Sequence, residues 1–254
     1  MFKASEYEYR FRYLLHLVIF VLGFTAPWNN VLHLDPPGPN AHVWGLLAVN
    51  LTQAGVGSLM AAFNVLLSVA IVLAVAGAFL RTWGSAYLGA EVVQSRSMHT
   101  GLLQDGPFRY VRNPLYLGTF LHTLALSLLM PRSGAIFCIL AIGVLQLRLI
   151  LAEEPFLAAR LGAPYVAYCA LAPRIWPAFR ARVVANGLTP RWPQAMLGEI
   201  YMWGVAGSFA VLGWRYNAWL LVQCVIVSVG VSMVVRAIRP AADGKETEAD
   251  PLRG

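Results

Sequence analysis

Charge is what this chain has least of. Only 12% of its 254 residues are Asp, Glu, Lys or Arg, roughly half the share of an ordinary soluble domain. With 58% apolar residues and a mean hydropathy of +0.61, the class is an integral membrane protein. Cysteine is also scarce. Cys138, Cys169 and Cys224 are scattered, with no CxxC pair and no metal-ligand spacing, which argues for packed thiols. The five histidines are dispersed too, so no metal site is expected. No strand pattern, internal repeat or aromatic-basic stripe occurs, so nucleic acid is not an expected partner. The first apolar run has a basic start but no small-x-small site before Pro27, so no cleavable signal is expected.

Apolar runs place about six spans, near residues 11–28, 59–80, 115–130, 134–150, 195–212 and 218–235. The fold class expected is an all-α polytopic bundle, with short helices and loops at one face forming a pocket. Every Lys and Arg falls on one side of this map except Arg132 and Arg215. The positive-inside rule then puts both termini in the cytoplasm. The net charge of +7 is explained by anionic headgroups of the bilayer. Four regions are expected: 1–80 with the first spans and an outer segment, 81–178 with the polar motifs and a hairpin, 179–239 with two further spans, and a disordered tail over 240–254.

Two polar blocks stand at the edges of the apolar runs. The first, Gly106-Pro-Phe-Arg-Tyr-Val-Arg-Asn-Pro-Leu-Tyr-Leu-Gly118, offers a glycine turn, an N-cap and first-turn proline at Asn113-Pro114, and arginines among aromatics. A helix start with Arg112 beside it suits an anionic group. The second, Glu153-Glu154, sits at the inner end of the fourth run. There the carboxylates oppose the helix dipole unless paired, with Arg112, Arg109 or Arg148 in reach. Pro155 to Gly162 reads as a short helix closed by Gly162, followed by Tyr165 and Tyr168 at i, i+3. Pro131-Arg132-Ser133 makes the third and fourth runs a tight hairpin, which brings the two blocks to one membrane face.

The ordered series resembles the membrane methyltransferases of the isoprenylcysteine carboxyl methyltransferase and phospholipid N-methyltransferase group. It runs Gly106, Phe108, Arg112-Asn113-Pro114, Tyr116, Gly118, Glu153-Glu154, Leu157, Gly162, Tyr165, Tyr168, Pro173, Arg174 and Pro177, with His99 and Leu103 ahead of the turn. The resemblance covers residues 80–178. Asn113 stands where many relatives carry histidine, and two extra spans follow. The resemblance implies S-adenosylmethionine (SAM) as methyl donor and a lipophilic acceptor: a lipid carboxylate, a phospholipid amine or a small hydrophobic thiol. It implies cofactor binding by His99, Leu103, Gly106, Phe108, Arg112, Asn113, Pro114, Tyr116, Glu153, Glu154, Tyr165 and Tyr168. Arg112, Glu154 and Glu199 are the catalytic candidates, Glu199 being an ionisable group early in the fifth run. The plain alternative for Glu199 is an interfacial pair with Arg191 or Arg182, and for Asn64 and His122 packed polar side chains. An NADPH-dependent sterol-type reductase and a non-enzymatic transporter are the competing classes.

Overall fold

The computed structural model describes residues 3–25, 42–88 and 102–238. These form an all-α membrane bundle. Helix α1 (Glu6–Arg10) starts in a capping box, with Ser5 Oγ accepting from the Glu8 N–H and Glu8 accepting from the Ser5 N–H. Phe11 interrupts it, and α2 follows (Arg12–Thr25). Next come α3 (Val43–Gln53), α4 (Leu59–Leu88), a 3-10 turn (Gly106–Arg109), α5 (Pro114–Ser127), α6 (Arg132–Leu161) and α7 (Ala163–Leu171). The chain ends in α8 (Trp192–Gly198), α9 (Ile200–Leu212), a second 3-10 turn (Gly213–Arg215) and α10 (Ala218–Ile238).

Three helices, α4, α6 and α10, are long and apolar enough to cross a bilayer. Helices α8 and α9, run on to Arg215, pass as a fourth span bent by 70°. About six spans were expected, the third, fourth and fifth of them near the lower limit of length, and three to four pass by length and composition among the described residues. Helix α5 has 14 residues, or about 21 Å at 1.5 Å per residue, against a hydrocarbon core of about 30 Å, and α2 is described as far as Thr25. The third apolar run is longer than its helix because Leu128, Leu129 and Met130 form a buried turn. The first N–H groups of α3 are satisfied on that turn, Val43 to the Met130 carbonyl and Trp44 to the Leu128 carbonyl.

Small residues let the helices approach. At the α4–α5 crossing a Cβ on Gly118 would lie 2.7 Å from Arg81 Cγ and 2.8 Å from the Gly77 carbonyl oxygen. Gly23 of α2 and Gly134 of α6 meet the same way, leaving no room for a Cβ on Gly134. Leu67, Leu126, Leu129, Ile142, Val205, Phe209 and Leu221 fill the core between these helices. Val72, Leu140, Val211 and Val227 face outward, as lipid-facing side chains do.

Helix α6 runs unbroken through Pro155 to Leu161, where Gly162 (φ +65°) ends it. The short separate helix expected from Pro155 is therefore the last two turns of α6. Glu153 and Glu154 lie inside that helix, not at its C-terminus, so the dipole argument against them does not apply. The chain from Pro173 to Arg191 doubles back along the first polar block. The Arg112 N–H donates to the Pro173 carbonyl, Ala178 to Tyr110, Arg182 to Arg109 and Arg191 to Ala86. Asp105, buried, accepts from the Gly187 N–H at 2.9 Å.

Candidate active site

The turn before α5 sets the first block. Gly106 has φ +55°, and a Cβ there would overlap the Tyr87 ring. The 3-10 turn then buries Phe108 and leads to Arg112. Asn113 occupies the N-cap position of α5 but does not cap it. Its Nδ2 donates to the Arg174 carbonyl at 3.0 Å, so its role here is to tie the two blocks together.

The hairpin brings the second block alongside. Glu154 forms an ion pair with Arg112 at 3.1 Å and accepts from Arg174 at 2.6 Å. Arg112 Nε is buried without a hydrogen-bond partner. Glu153 accepts from the Tyr116 hydroxyl at 2.8 Å, and Tyr9 also bonds to it. Burial pushes the Tyr9 hydroxyl well above its usual range, and the Glu153 charge adds to this, so it stays a donor. Tyr168 donates to the Phe108 carbonyl at 2.9 Å, and burial raises both it and Tyr165. Arg109 points elsewhere, its Nε donating to the Val183 carbonyl. Arg148 does not reach Glu153 or Glu154. It pairs with Glu8 at 2.8 Å and holds that carboxyl down at about 2.

These groups line one cavity of about 850 Å³. Leu103, Phe108, Arg112, Asn113, Pro114, Tyr116, Glu153, Glu154, Tyr165, Tyr168 and Glu199 all stand in its wall. Gly106 shapes the turn outside that wall, and His99 lies outside the described residues. Glu199 does not pair with Arg191 or Arg182. It sits at the break between α8 and α9, 4% exposed, and takes a two-pronged bond from Arg81 at 2.7 and 2.9 Å. Ser85 donates to it at 2.9 Å.

The same wall holds His122 and residues that the motif reading passed over: Tyr9, Arg12, Tyr13, His16, Arg81, Thr119 and Tyr201. Arg12 stacks on the rings of Tyr9 and Tyr13, with 4.5 and 4.8 Å to their centroids. Tyr9, Arg12, Tyr13 and His16 recur at i, i+3, i+4, i+7, a helical stripe that was legible as one face. His122, read as a packed polar side chain, has no hydrogen-bond partner at either ring nitrogen. Beyond it Phe20, Phe24, Leu126, Leu129, Trp219 and Val222 make the wall apolar.

The arrangement can hold a polar molecule among paired charges at one end and an apolar one at the other, screened from water between helices. No curated protein and no solved structure matches the chain. Residues 54–163 match the model of the phospholipid methyltransferase family, a stretch that takes in the first polar block, the hairpin and the paired carboxylates.

Proposed function

We propose that this protein transfers a methyl group from SAM to a lipophilic acceptor that enters the cavity from the bilayer, and that the polar end of the cavity faces the cytosol. The observation that carries the reading is Arg112. It is paired with Glu154 through one nitrogen, while its Nε is buried with no partner in the wall of a cavity that continues into apolar surface. A buried unpaired guanidinium N–H calls for an acceptor.

The residues present fit the donor. Arg112, with the Leu115 and Tyr116 N–H groups in the first turn of α5, suits its carboxylate. Glu153 and Glu154 suit its ammonium or ribose hydroxyls. Phe108, Tyr165, Leu103 and Leu157 offer flat and apolar surface for the adenine. When bound, SAM supplies an electrophilic methyl group on a sulfonium. The protein's part is to bind, orient and exclude water, with Tyr9 and Tyr116 fixing Glu153 and Arg174 fixing Glu154. The basic residues flanking this face support the cytosolic orientation.

Equilibrium binding of SAM, its demethylated product S-adenosylhomocysteine (SAH) and NADPH to the detergent-purified protein tests this. SAM and SAH are expected to bind and NADPH not. Arg112→Ala and Glu154→Gln should each weaken SAM by about tenfold or more, the worth of one charge-assisted hydrogen bond. Binding of NADPH alone, or SAM affinity unchanged in both variants, would overturn the reading.

A further inference from the structure

The strap of chain from Pro173 to Arg191 has two faces. The inner one belongs to the polar end of the cavity. Val183 packs in a buried cluster with Tyr165, Tyr168 and Ala172, Arg174 holds Glu154, and the backbone is tied to Tyr110, Arg109 and Ala86. The outer face is apolar and basic. Phe179 is fully exposed, Trp176 is 82% exposed, and Val184 and Leu188 are exposed with them. Arg180, Arg182 and Arg191 are exposed on the same strap. None of these three pairs with an acidic side chain among the described residues. A cleft of about 510 Å³ lies against this face, lined by Arg112, Leu171, Trp176, Phe179 and Arg182.

The ends of the strap fix its level. The Arg191 N–H bonds to the Ala86 carbonyl in the last turn of α4, and the Arg112 N–H, just ahead of α5, bonds to the Pro173 carbonyl. The strap therefore runs level with the ends of the membrane helices. It leads into α8, which meets α9 at 70° and leaves Trp192, Met196 and Leu197 exposed. A short apolar helix turned that far from the span after it lies toward the membrane plane. We propose that the strap and α8 dock on the anionic headgroups of the leaflet at the polar end of the cavity, and that this docking steadies the donor-binding end. The second half rests on the methyltransferase reading above.

Charge and chemistry select the bilayer as the occupant. Tryptophan sits well at headgroup level, and arginines there meet lipid phosphates. The bilayer is also the partner that a membrane bundle always has at this level. The link to the donor end is short. Arg174, which bonds to Glu154, is two positions from Trp176. Val183, packed on Tyr165 and Tyr168, adjoins Arg182. Holding the outer face still removes freedom from these side chains before the donor arrives. A ligand that binds an already ordered site gives up less entropy.

The test uses the full chain in nanodiscs of phosphatidylcholine alone or of an equal mixture with phosphatidylglycerol. In the anionic discs, backbone hydrogen exchange over residues 173–191 is expected to slow about tenfold, and SAH affinity to rise about fivefold. In about 1 M salt, where charges act over only about 3 Å, both differences should vanish. The double variant Arg180→Gln, Arg182→Gln should lose both differences and keep wild-type exchange and SAH affinity in neutral discs, which also shows that it folds. Trp176→Ala should lower the protection in anionic discs by removing apolar contact. Equal exchange in the two lipids, or slowing that survives in the double variant, would overturn the docking. Slowing that follows the protein-to-lipid ratio and not lipid charge would place a second copy of the chain on this face and overturn it too. Slowed exchange with equal SAH affinity in both lipids would overturn the link to the donor end. A wild type that binds SAH in neither lipid would instead defeat the methyltransferase reading, while exchange still decides the docking.

Discussion

Arg112 and Arg174 hold Glu154 from two sides, and the two stretches are tied by the Arg112 N–H on the Pro173 carbonyl and by Asn113 Nδ2 on the Arg174 carbonyl. Single side chains thus set the shape of the polar end. Gly106 is the sharpest case, because both its backbone and its surroundings exclude a Cβ. Gly106→Ala is expected to lower stability by roughly 1–2 kcal/mol from the positive φ alone, with more from the Tyr87 overlap. Thermal unfolding in detergent measures it. Tyr168 gives a pH-resolved prediction. Burial holds its hydroxyl above the usual phenol range, so its bond to the Phe108 carbonyl persists throughout the neutral and mildly alkaline range. Tyr168→Phe should cost about 1 kcal/mol, with the same loss at pH 6 and pH 9 in the unfolding midpoint.

At the scale of elements, α4 and α5 form the rigid pair on which the cavity rests. Their contact depends on Gly77 and Gly118 having no side chains, and Arg81 leans on Gly118 before turning to Glu199. The bend between α8 and α9 depends on that same pair, since Glu199 is the residue at the break. Glu199→Ala leaves Arg81 buried without its counter-charge and is expected to destabilise the fold by roughly 3–5 kcal/mol. The double variant with Arg81→Met should recover part of this, and comparing the unfolding midpoints of single and double variants checks it.

The whole molecule closes its cavity with parts outside the family match. Residues 54–163 supply Arg112, Tyr116, Glu153 and Glu154. Helices α1 and α2 add Tyr9, Arg12, Tyr13 and His16, while α9 and α10 add Tyr201 and Trp219. The N-terminal wall is pinned to α6 by the Glu8–Arg148 ion pair and by the Ala4 N–H on the Arg148 carbonyl. Glu8 has its pKa lowered from 4.5 to about 2, first by the Arg148 hydrogen bond. Its contribution is therefore complete above about pH 4.5 and disappears as pH falls toward 2. Glu8→Gln should melt earlier than the wild type at pH 7, with the gap closing between pH 4.5 and pH 2.

Much of this was legible in the chain itself. The scarcity of charge and the long apolar runs fixed an all-α membrane bundle, because a bilayer tolerates few other ways to satisfy a backbone. Pro131-Arg132-Ser133 between two apolar runs placed the two polar blocks side by side. Run length alone does not show where α5 ends, since an apolar turn such as Leu128–Met130 reads like helix. Partners escaped the sequence: Glu199 finds Arg81 across 118 positions, and Glu8 finds Arg148 across 140. Motif spacing reports residues on one helix or across one turn, and so by itself it determined the bundle, the hairpin and the two polar blocks. Only the packing of α1, α2, α9 and α10 against that hairpin decided which charges neutralise each other and left His122 facing a cavity, because contacts between distant segments depend on how helices cross and not on their order.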